Sequence, residues 1–230
     1  MNEINKIFKE VKGQGRNVLT YEESRKVMEL AGVPLNKIAV AKDLDECIVK
    51  ANEIGYPVVL KVISEDIIHK TEAGGVKVGI KSDSELKKAY EEMMESVTSY
   101  HPGAKIEGFS IEEMVTGVEV LIGQTTDPQF GKMIAFGIGG IFVEVYKDVS
   151  FRLIPISEND VEEMYCEIKG RKMLEGFRGM PALKMDDLKS LLLNISKLVE
   201  NHPEIKEMDL NPVMVTKEGL KAIDARIILE

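Results

Sequence analysis

Residues 58–63 read Val-Val-Leu-Lys-Val-Ile, and residues 69–77 read His-Lys-Thr-Glu-Ala-Gly-Gly-Val-Lys. The first segment is short and apolar and follows Pro57, which predicts a buried β-strand. The second is a charged loop that ends in paired glycines, which can change shape at low cost. Because an unperturbed imidazole titrates close to neutral pH, His69 can offer a free ring nitrogen as a nucleophile. We therefore predict that His69 is the reacting residue, with an ordinary surface histidine as the alternative.

The other two histidines, His101 and His202, each stand directly before a proline at the end of a helix-patterned segment. A proline cannot continue the helix, and a partly cationic ring interacts favourably with the helix dipole at that end. We therefore predict that both histidines have structural roles.

The sequence pattern changes near residue 108, and this change predicts two lobes. Before it, helices begin at Thr20, Asp43 and Ser82, and strands cover residues 37–41, 58–63 and 76–80. After it, helices begin at Ser157 and Asp186, and strand patterns dominate at residues 109–115, 118–125, 132–136, 141–146, 150–154, 207–215 and 220–227. This order predicts an α+β fold, with lobes at residues 1–107 and 108–230 and a hinge near residues 105–109.

The composition is that of an ordinary globular protein, and it narrows the possible partners. The 230 residues are 44% hydrophobic and carry a formal net charge of −9. Nucleic acids and anionic membrane surfaces are bound through clustered Lys and Arg, so we expect neither as a partner. No apolar run approaches the roughly 20 residues that cross a bilayer, and the first residues lack a signal-peptide core. A cytoplasmic location is therefore expected.

Lys61 stands out because a lysine in an apolar strand is costly unless its ammonium group meets an anion or reaches solvent. A nucleotide phosphate would supply that anion, and an edge-strand lysine that extends into water is the alternative. Glu112, Glu113 and Glu119 lie on two predicted strands joined at Gly117, where carboxylates could bind a ribose. A solvated sheet face is the alternative for these acids.

The strongest polar pattern lies near the C-terminus, where Asp209, Asn211 and Asp224 come from two strands of a predicted hairpin. Asp209 and Asn211 are two residues apart, which places both on one strand face. Such oxygen ligands suit Mg²⁺, which usually takes one or two protein carboxylates and completes its shell with water and phosphate. A polar strand with a terminal aspartate is the alternative. Pro212 indicates a strand edge here.

Two further features could bind phosphate. The run Gly-Ile-Gly-Gly at residues 137–140 could expose the backbone amides of Gly139 and Gly140 to an anion. Arg152 and Arg178 are candidate anion contacts, because a guanidinium group matches phosphoryl oxygens in a bidentate manner. A simple turn and surface salt bridges are the respective alternatives.

Several motifs together resemble the ATP-grasp subunit of ADP-forming acetyl-CoA synthetases, the NDP-forming acyl-CoA synthetases that are related to succinyl-CoA synthetase. These motifs are VLKV at residues 59–62, HKTEAGGV at 69–76, DPQFG at 127–131, GIGGIFVE at 137–144, DVSFR at 148–152 and EMDLNP at 207–212. The resemblance runs nearly from end to end. It implies an ATP-grasp fold of two α/β lobes that bind the nucleotide between them, with ADP or ATP and Mg²⁺ as cofactors.

The resemblance also implies half of an enzyme, because a chain of this length is the β subunit, whereas CoA binding resides mainly on a separate α subunit. An α2β2 heterotetramer is the implied assembly. The implied net reaction converts acyl-CoA, ADP and phosphate into acid, ATP and CoA. In it, a phosphoryl group passes from a histidine of the α subunit to a histidine of the β subunit and then to ADP.

Carried over position by position, His69 matches the second phosphoryl carrier, and Asp209 matches the acidic position near it. The implied nucleotide-binding residues are Lys61, Lys77, Glu112, Glu113, Val115 and Glu119, the phosphate contacts are Arg152, Gly139, Gly140 and Arg178, and the metal ligands are Asn211 and Asp224. Two other functions stay open. One is an ATP-grasp carboxylate ligase that uses a direct acyl-phosphate, and the other is a nucleotide-sensing subunit without chemistry.

Overall fold

The computed structural model describes residues 3–64, 66–67, 69–140 and 147–230 and divides them into two compact units. The smaller unit is Asn36–Met114, and the larger unit combines the described residues of Met1–Leu35 with Val115–Glu230. The helices are α1 Glu3–Gly13, α2 Tyr21–Leu30, α3 Leu44–Ile54, α4 Asp83–Tyr100, α5 Glu158–Glu167 and α6 Met185–Asn201. The strands are β1 Ile38–Ala41, β2 Val58–Ile63, β3 Val76–Ile80, β4 Gly108–Glu113, β5 Val118–Asp127, β6 Gly131–Ile138, β7 Val149–Leu153, β8 Ile205–Val215, β9 Leu220–Ala222 and β10 Arg226–Leu229.

The smaller unit is a four-stranded antiparallel sheet in the order β1-β4-β2-β3, which packs on α3 and α4. In β2, Val58, Leu60 and Val62 are fully buried among apolar residues of both helices, whereas Lys61 is half-buried. Since side chains alternate between the two faces of a strand, Lys61 lies on the face of β2 opposite to this core. The predicted buried strand at residues 58–63 is confirmed.

The larger unit contains a six-stranded antiparallel sheet in the order β10-β8-β5-β6-β7, with β9 paired to β8. One face of this sheet carries Val120, Ile122 and Leu210, which pack in a core with the apolar side of α6. Residues next to these in sequence, including Glu119 and Asp209, lie on the opposite face. We call this opposite face the open face of the larger sheet.

β8 contains one extra residue relative to its neighbour β5. Val120 pairs with Val213 and Ile122 pairs with Leu210, so two steps along β5 correspond to three along β8. Pro212 lies in this β-bulge. Because β8 is an inner strand of the sheet, the predicted strand edge is wrong. Proline is tolerated there because the extra residue of a bulge does not have to donate a backbone hydrogen bond to the neighbouring strand.

Residues 220–227 lie opposite β8. The prediction of a single strand there is also wrong, because the segment belongs to two strands. β9 and β10 both pair with β8, and residues 223–225 between them leave the ladder. Asp224 lies in this interruption. The predicted strand at residues 141–146 lies outside the described residues.

Both the predicted boundary after residue 107 and the predicted hinge near residues 105–109 differ from the division in the structure. β4 belongs to the smaller unit because it pairs with both β1 and β2, and Phe109 is buried in that unit's core. The first two helices belong to the larger unit, because Phe8 and Met28 pack in its core. Contacts between residues far apart in sequence therefore set both boundaries.

Capping residues predicted the helix starts correctly. Thr20 and Glu23 form the predicted capping box of α2, and Ser157 caps α5 together with Asp160. α1 has no counterpart among the predicted helices, although Ile4, Phe8 and Val11 are its buried residues and recur at helical spacing. Within the described part of the chain, none of the helices has the length and apolar character needed to cross a bilayer.

His101 and His202 occupy the C-caps of α4 and α6, as predicted. His202 is only 4% exposed, and its ring meets the edge of the Phe8 ring with centroids 5.5 Å apart. Burial lowers the pKa of His202, and the charge of Glu204 opposes that change. The predicted partly cationic ring is therefore wrong for His202.

We expect His202 to make the fold sensitive to acid. Because its pKa is lowered in the folded state, the unfolded chain takes up this proton first, and stability is lost as the pH falls through about 6.5, the ordinary histidine value. Chemical unfolding at about pH 7.5 and at about pH 5.5 measures this loss. His202→Gln should lose less stability over the interval than the wild type, whereas the exposed His101→Gln should match it. Equal losses in all three proteins would contradict the assignment.

Candidate functional site

The Lys61 side chain meets an anion supplied by the protein itself. Its Nζ lies 2.7 Å from Oε2 of Glu112, whose side chain is only 4% exposed, whereas the Lys61 side chain is 33% exposed. β2 is an inner strand of its sheet, between β4 and β3, so the interpretation of Lys61 as an edge-strand lysine is wrong. The ammonium group is therefore held by a buried carboxylate and still reachable from solvent.

Glu113 and Lys77, by contrast, lie on the helix-packed face of the same sheet. Glu113 is directly opposite Val58, and its carboxylate accepts the backbone N–H of Lys37 at 3.0 Å. Lys77 is directly opposite Leu60, and its Nζ lies 3.2 Å from Glu92 on α4. The structure thus separates these two residues from the Lys61 face, because neighbouring positions of a strand point to opposite sides.

Two buried residues anchor the segment that carries His69. Ile67 and Ala73 are 1% and 2% exposed and belong to the core of the smaller unit, whereas His69 between them is exposed. A turn closes the segment, with Ala73 N–H donating to the His69 carbonyl at 3.1 Å and Gly75 N–H donating to the Lys70 carbonyl at 2.7 Å. The imidazole is therefore presented to solvent from a fixed base.

The paired glycines are required for close packing, which differs from the flexibility inferred from sequence. A Cβ at Gly74 would lie 2.7 Å from Cβ of Ser96 on α4, and Gly74 has a φ of +71°. A Cβ at Gly75 would lie 2.6 Å from Cγ1 of Val62. Both distances are shorter than ordinary packing allows, so the turn can approach β2 and α4 only because these side chains are missing.

We expect Gly75→Ala to destabilise the protein by about 1–3 kcal/mol, because the new methyl group overpacks the contact with Val62. Chemical unfolding monitored by circular dichroism measures the change. Gly13→Ala is the control, since a Cβ there meets no atom within 4 Å. A Gly75→Ala protein as stable as the wild type would show that the turn repacks freely.

Asp209, Asn211 and Asp224 come together around the bulge of β8. Asp209 and Asn211 lie before and within the bulge, and Asp224 lies in the facing interruption between β9 and β10. Burial raises the pKa of Asp209, the carboxylates of Asp224 and Glu207 raise it further, and Arg226 lowers it. Arg226 pairs directly with Asp209 across β10 and β8. The structure thus brings Asp224 close to Asp209, and Asn211 lies in the bulge, on strands that differ from a simple hairpin.

These residues fit a hard divalent cation. Burial is the main cause of the raised pKa of Asp209, and the nearby carboxylates of Asp224 and Glu207 add to it. A cation at this place would offset the repulsion between these carboxylates. Among residues 3–64, 66–67, 69–140 and 147–230, no group of three or more His, Cys, Asp or Glu side chains could hold a metal ion. Asn211 and Asp224 are the two candidate ligands, and Mg²⁺ fills its remaining positions with water and phosphate.

Glu119 lies exposed on β5, against the glycines of residues 137–140. Its backbone carbonyl accepts the N–H of Gly139 at 2.8 Å, so this amide is already used within the protein. A Cβ on Gly140 would lie 3.1 Å from Oε2 of Glu119, and Gly140 has a φ of +65°. The glycines therefore make room for the Glu119 carboxylate. Val115, the remaining predicted nucleotide contact, is half-buried at the start of the larger unit.

The two predicted arginines have their contacts within the larger unit. Arg152 pairs with acids of α5, at 2.7 Å from Glu167 and 3.2 Å from Glu163. Arg152 lies opposite Ile134, on the helix-packed face of the larger sheet and not on its open face. Its contacts are those of the salt-bridge alternative. Arg178 lies in a short 3-10 turn with a φ of +53°, and its guanidinium stacks 5.2 Å from the centre of the Phe177 ring.

Two polar residues with clear roles were not predicted. Ser110 is buried, and its hydroxyl donates to Oε1 of Glu112 at 3.1 Å. Its position two residues before Glu112 on the same strand is the signal that could have found it. Asp148 is buried as well, and its two carboxylate oxygens accept the backbone N–H groups of Lys169 and Gly170. Asp148 therefore fixes the loop that follows α5.

Comparisons with known proteins agree with this arrangement. A family profile for the ATP-grasp domain matches residues 10–229. The beta subunit of acetate–CoA ligase (ADP-forming) II from Pyrococcus furiosus is 48% identical, over 98% of this chain and 97% of its own length.

Two solved structures of dinucleotide-forming acetyl-coenzyme A synthetase 1 from Ca. Korarchaeum cryptofilum share the fold. One, in complex with coenzyme A, Ca-AMPCP and HgCl+, is 43% identical with a TM-score of 0.86, over 98% of this chain and 99% of that chain. The other, with coenzyme A and Mg-AMPPCP, is described with its phosphohistidine segment pointing towards the nucleotide binding site. It is 39% identical with a TM-score of 0.82, over 99% of this chain and 100% of that chain. The chain therefore belongs to the ATP-grasp family and, within it, to the beta subunits of ADP-forming acetate–CoA ligases.

Proposed function

We propose that this chain is the nucleotide-binding and phosphoryl-carrying subunit of an ADP-forming acyl-CoA synthetase, with acetyl-CoA as the representative substrate. The complete enzyme converts acyl-CoA, ADP and phosphate into acid, ATP and CoA. The observation that carries the proposal is the exposed imidazole of His69 on a segment anchored by buried Ile67 and Ala73. A phosphohistidine segment in a 39% identical relative supports this assignment.

In the proposed transfer, a ring nitrogen of His69 attacks a phosphoryl group delivered by a phosphohistidine of the partner subunit. A P–N bond forms on His69 as the P–N bond on the partner breaks. A terminal oxygen of ADP then attacks the same phosphorus, and ATP leaves as the imidazole is regenerated. Two short transfers replace one transfer between distant sites, which is the general advantage of a covalent intermediate.

Other residues would bind the nucleotide and neutralise its charge. Lys61 offers a solvent-reachable ammonium group for the phosphates, since a fixed cation stabilises charge on a transferring phosphoryl group. The exposed carboxylate of Glu119 can accept hydrogen bonds from ribose hydroxyls. Asn211 and Asp224 would hold Mg²⁺, which would neutralise phosphate charge when bound. Adenine would lie along residues 112–115.

Incubation of the full chain with γ-labelled ATP tests the proposal against its two alternatives. A phosphoryl carrier takes up label that is stable in base, labile in acid and located on His69, because phosphohistidine has those stabilities. A direct acyl-phosphate ligase leaves the protein unlabelled and consumes ATP only with a carboxylate. A nucleotide sensor binds Mg-ADP in calorimetry but shows no exchange between ADP and ATP. Either of the last two outcomes would overturn the proposal.

A second subunit is part of the proposal. The Pyrococcus furiosus relative is named as a subunit, and we propose that the present chain likewise works with a separate CoA-binding α subunit in an α2β2 assembly. Purification from its native source should yield this chain together with a CoA-binding partner, and light scattering should report two copies of each. Synthesis of acyl-CoA by the isolated chain would contradict the split arrangement.

A further inference from the structure

Glu112 and Ser110 form a buried hydrogen-bonded arrangement that ends on the Lys61 ammonium group. Ser110 donates to Oε1 of Glu112 at 3.1 Å, and Lys61 donates to Oε2 at 2.7 Å. Both oxygens of the carboxylate are therefore engaged. We infer that Glu112 and Ser110 are positioning residues that fix the Lys61 ammonium group for phosphoryl transfer. This inference rests on the proposed function, in which Lys61 contacts the nucleotide phosphates.

The strand pairing explains why these three residues meet. Ser110 is directly opposite Lys61 in the β2–β4 ladder, and Glu112 is opposite Val59. Directly opposite and diagonal neighbours on one sheet face are within reach of a long side chain. The backbone hydrogen bonds of two inner strands hold all three positions. The ammonium group is thus located by the sheet, which is more rigid than a loop.

The Glu112 side chain is poorly suited to contact the nucleotide phosphates itself, and the contact that the family resemblance implies for it is on the adenine side. This side chain is only 4% exposed, and a carboxylate repels phosphate. Lys61, which is 33% exposed, is the member of the set that an incoming phosphate can reach. Glu112 therefore acts on the nucleotide through Lys61.

The charges of Lys61 and Glu112 predict which kinetic parameter their pairing should affect. The Lys61 and Glu112 charges cancel at a distance, so the pair adds little net attraction for ATP. A correctly placed ammonium group still stabilises the charge that moves during transfer, and misplacement by a fraction of an ångström weakens that stabilisation. Loss of the restraint should therefore lower the limiting rate of transfer more than it changes the half-saturating ATP concentration.

The test measures the initial rate of His69 labelling by γ-labelled ATP in the full chain, over a range of ATP concentrations at saturating Mg²⁺. Glu112→Gln keeps the shape and replaces a charge-assisted hydrogen bond with a weaker one, so the limiting rate should fall about tenfold. The half-saturating ATP concentration should not rise, because the variant removes a negative charge beside Lys61. Ser110→Ala should lower the limiting rate by about threefold, and Ser110→Thr, which keeps the hydroxyl, should restore it.

Glu53→Gln is the matched control, because Glu53 forms an ion pair with Lys50 at 2.8 Å on the exposed side of α3 in the same unit. Its kinetics should equal those of the wild type. Thermal melting reports whether each variant is folded, and if Glu112→Gln fails to fold, the comparison of Ser110→Ala with Ser110→Thr decides alone.

Three results would overturn the inference. A raised half-saturating ATP concentration with an unchanged limiting rate would show that Glu112 binds the nucleotide directly. Unchanged kinetics in every folded variant would show a purely structural ion pair. An unlabelled wild type would overturn the proposed function and the inference with it, whereas the first two results leave the proposed function standing.

Discussion

His69→Asn should take up no acid-labile label from γ-labelled ATP. Assembled with its CoA-binding partner, it should lose ATP formation from acyl-CoA, ADP and phosphate by at least about a thousandfold. An asparagine amide cannot form a stable bond to phosphorus, so both half-transfers through this residue stop. The fold should be unaffected, because His69 is exposed and the turn around it is made by backbone groups.

His101→Asn is the matched control for this experiment. His101 is also an exposed histidine of the smaller unit, but it lies at the C-cap of α4 and has no proposed chemical role. The variant should be labelled like the wild type. If His69→Asn formed ATP at the wild-type rate with its partner, the phosphoryl group would reach ADP without a carrier on this residue, as in the carboxylate ligase alternative.

The second large effect is expected at Asp224. Asp224→Asn removes one of the negative charges that would hold Mg²⁺, so the affinity for Mg-ADP should fall about tenfold to a hundredfold, or roughly 1.4–2.8 kcal/mol. Titration calorimetry with ADP at several Mg²⁺ concentrations measures this change. The loss should shrink as Mg²⁺ is raised, because the remaining ligands saturate at higher metal concentration.

Asp186→Asn is the control for charge alone. It makes the same change in the same unit, at an exposed position in the first turn of α6, on the core side of the larger sheet. Its affinity for Mg-ADP should equal that of the wild type. Equal affinities of Asp224→Asn and the wild type at every Mg²⁺ concentration would remove Asp224 from the metal site.

Local sequence signals predicted most elements, because capping and periodicity act over a few residues. The capping box of Thr20 and Glu23 and the alternation in β2 are examples that the structure confirms. The division into units could not be obtained in this way. β4 follows the change in sequence pattern, yet it pairs with β1 and β2, which lie about 50 to 70 residues earlier. Pairing over such distances leaves no local trace.

The sequence predicted candidate site residues one at a time from their chemistry. Which of those residues meet is determined by the structure. Lys61 was recognisable as anomalous from its apolar neighbours, but its partner Glu112 is 51 residues away. Arg152 has the chemistry of a phosphate contact, and only the position of α5 shows that its charge is already compensated by Glu163 and Glu167. Lys77 differs from Lys61 by the side of the sheet on which it lies, which depends on strand register.

The extra residue in β8 shapes the place where Asn211, a proposed metal ligand, lies. Inward-facing residues are even-numbered before it, as at Met208 and Leu210, and odd-numbered after it, as at Val213 and Val215. The extra residue is what lets both halves face the core, because in a regular strand Leu210 and Val213, three positions apart, would point to opposite faces of the sheet. Loss of one codon between these two residues would remove the kink and keep both side chains on the core face, so a lineage that abandons nucleotide chemistry could straighten this strand in one step.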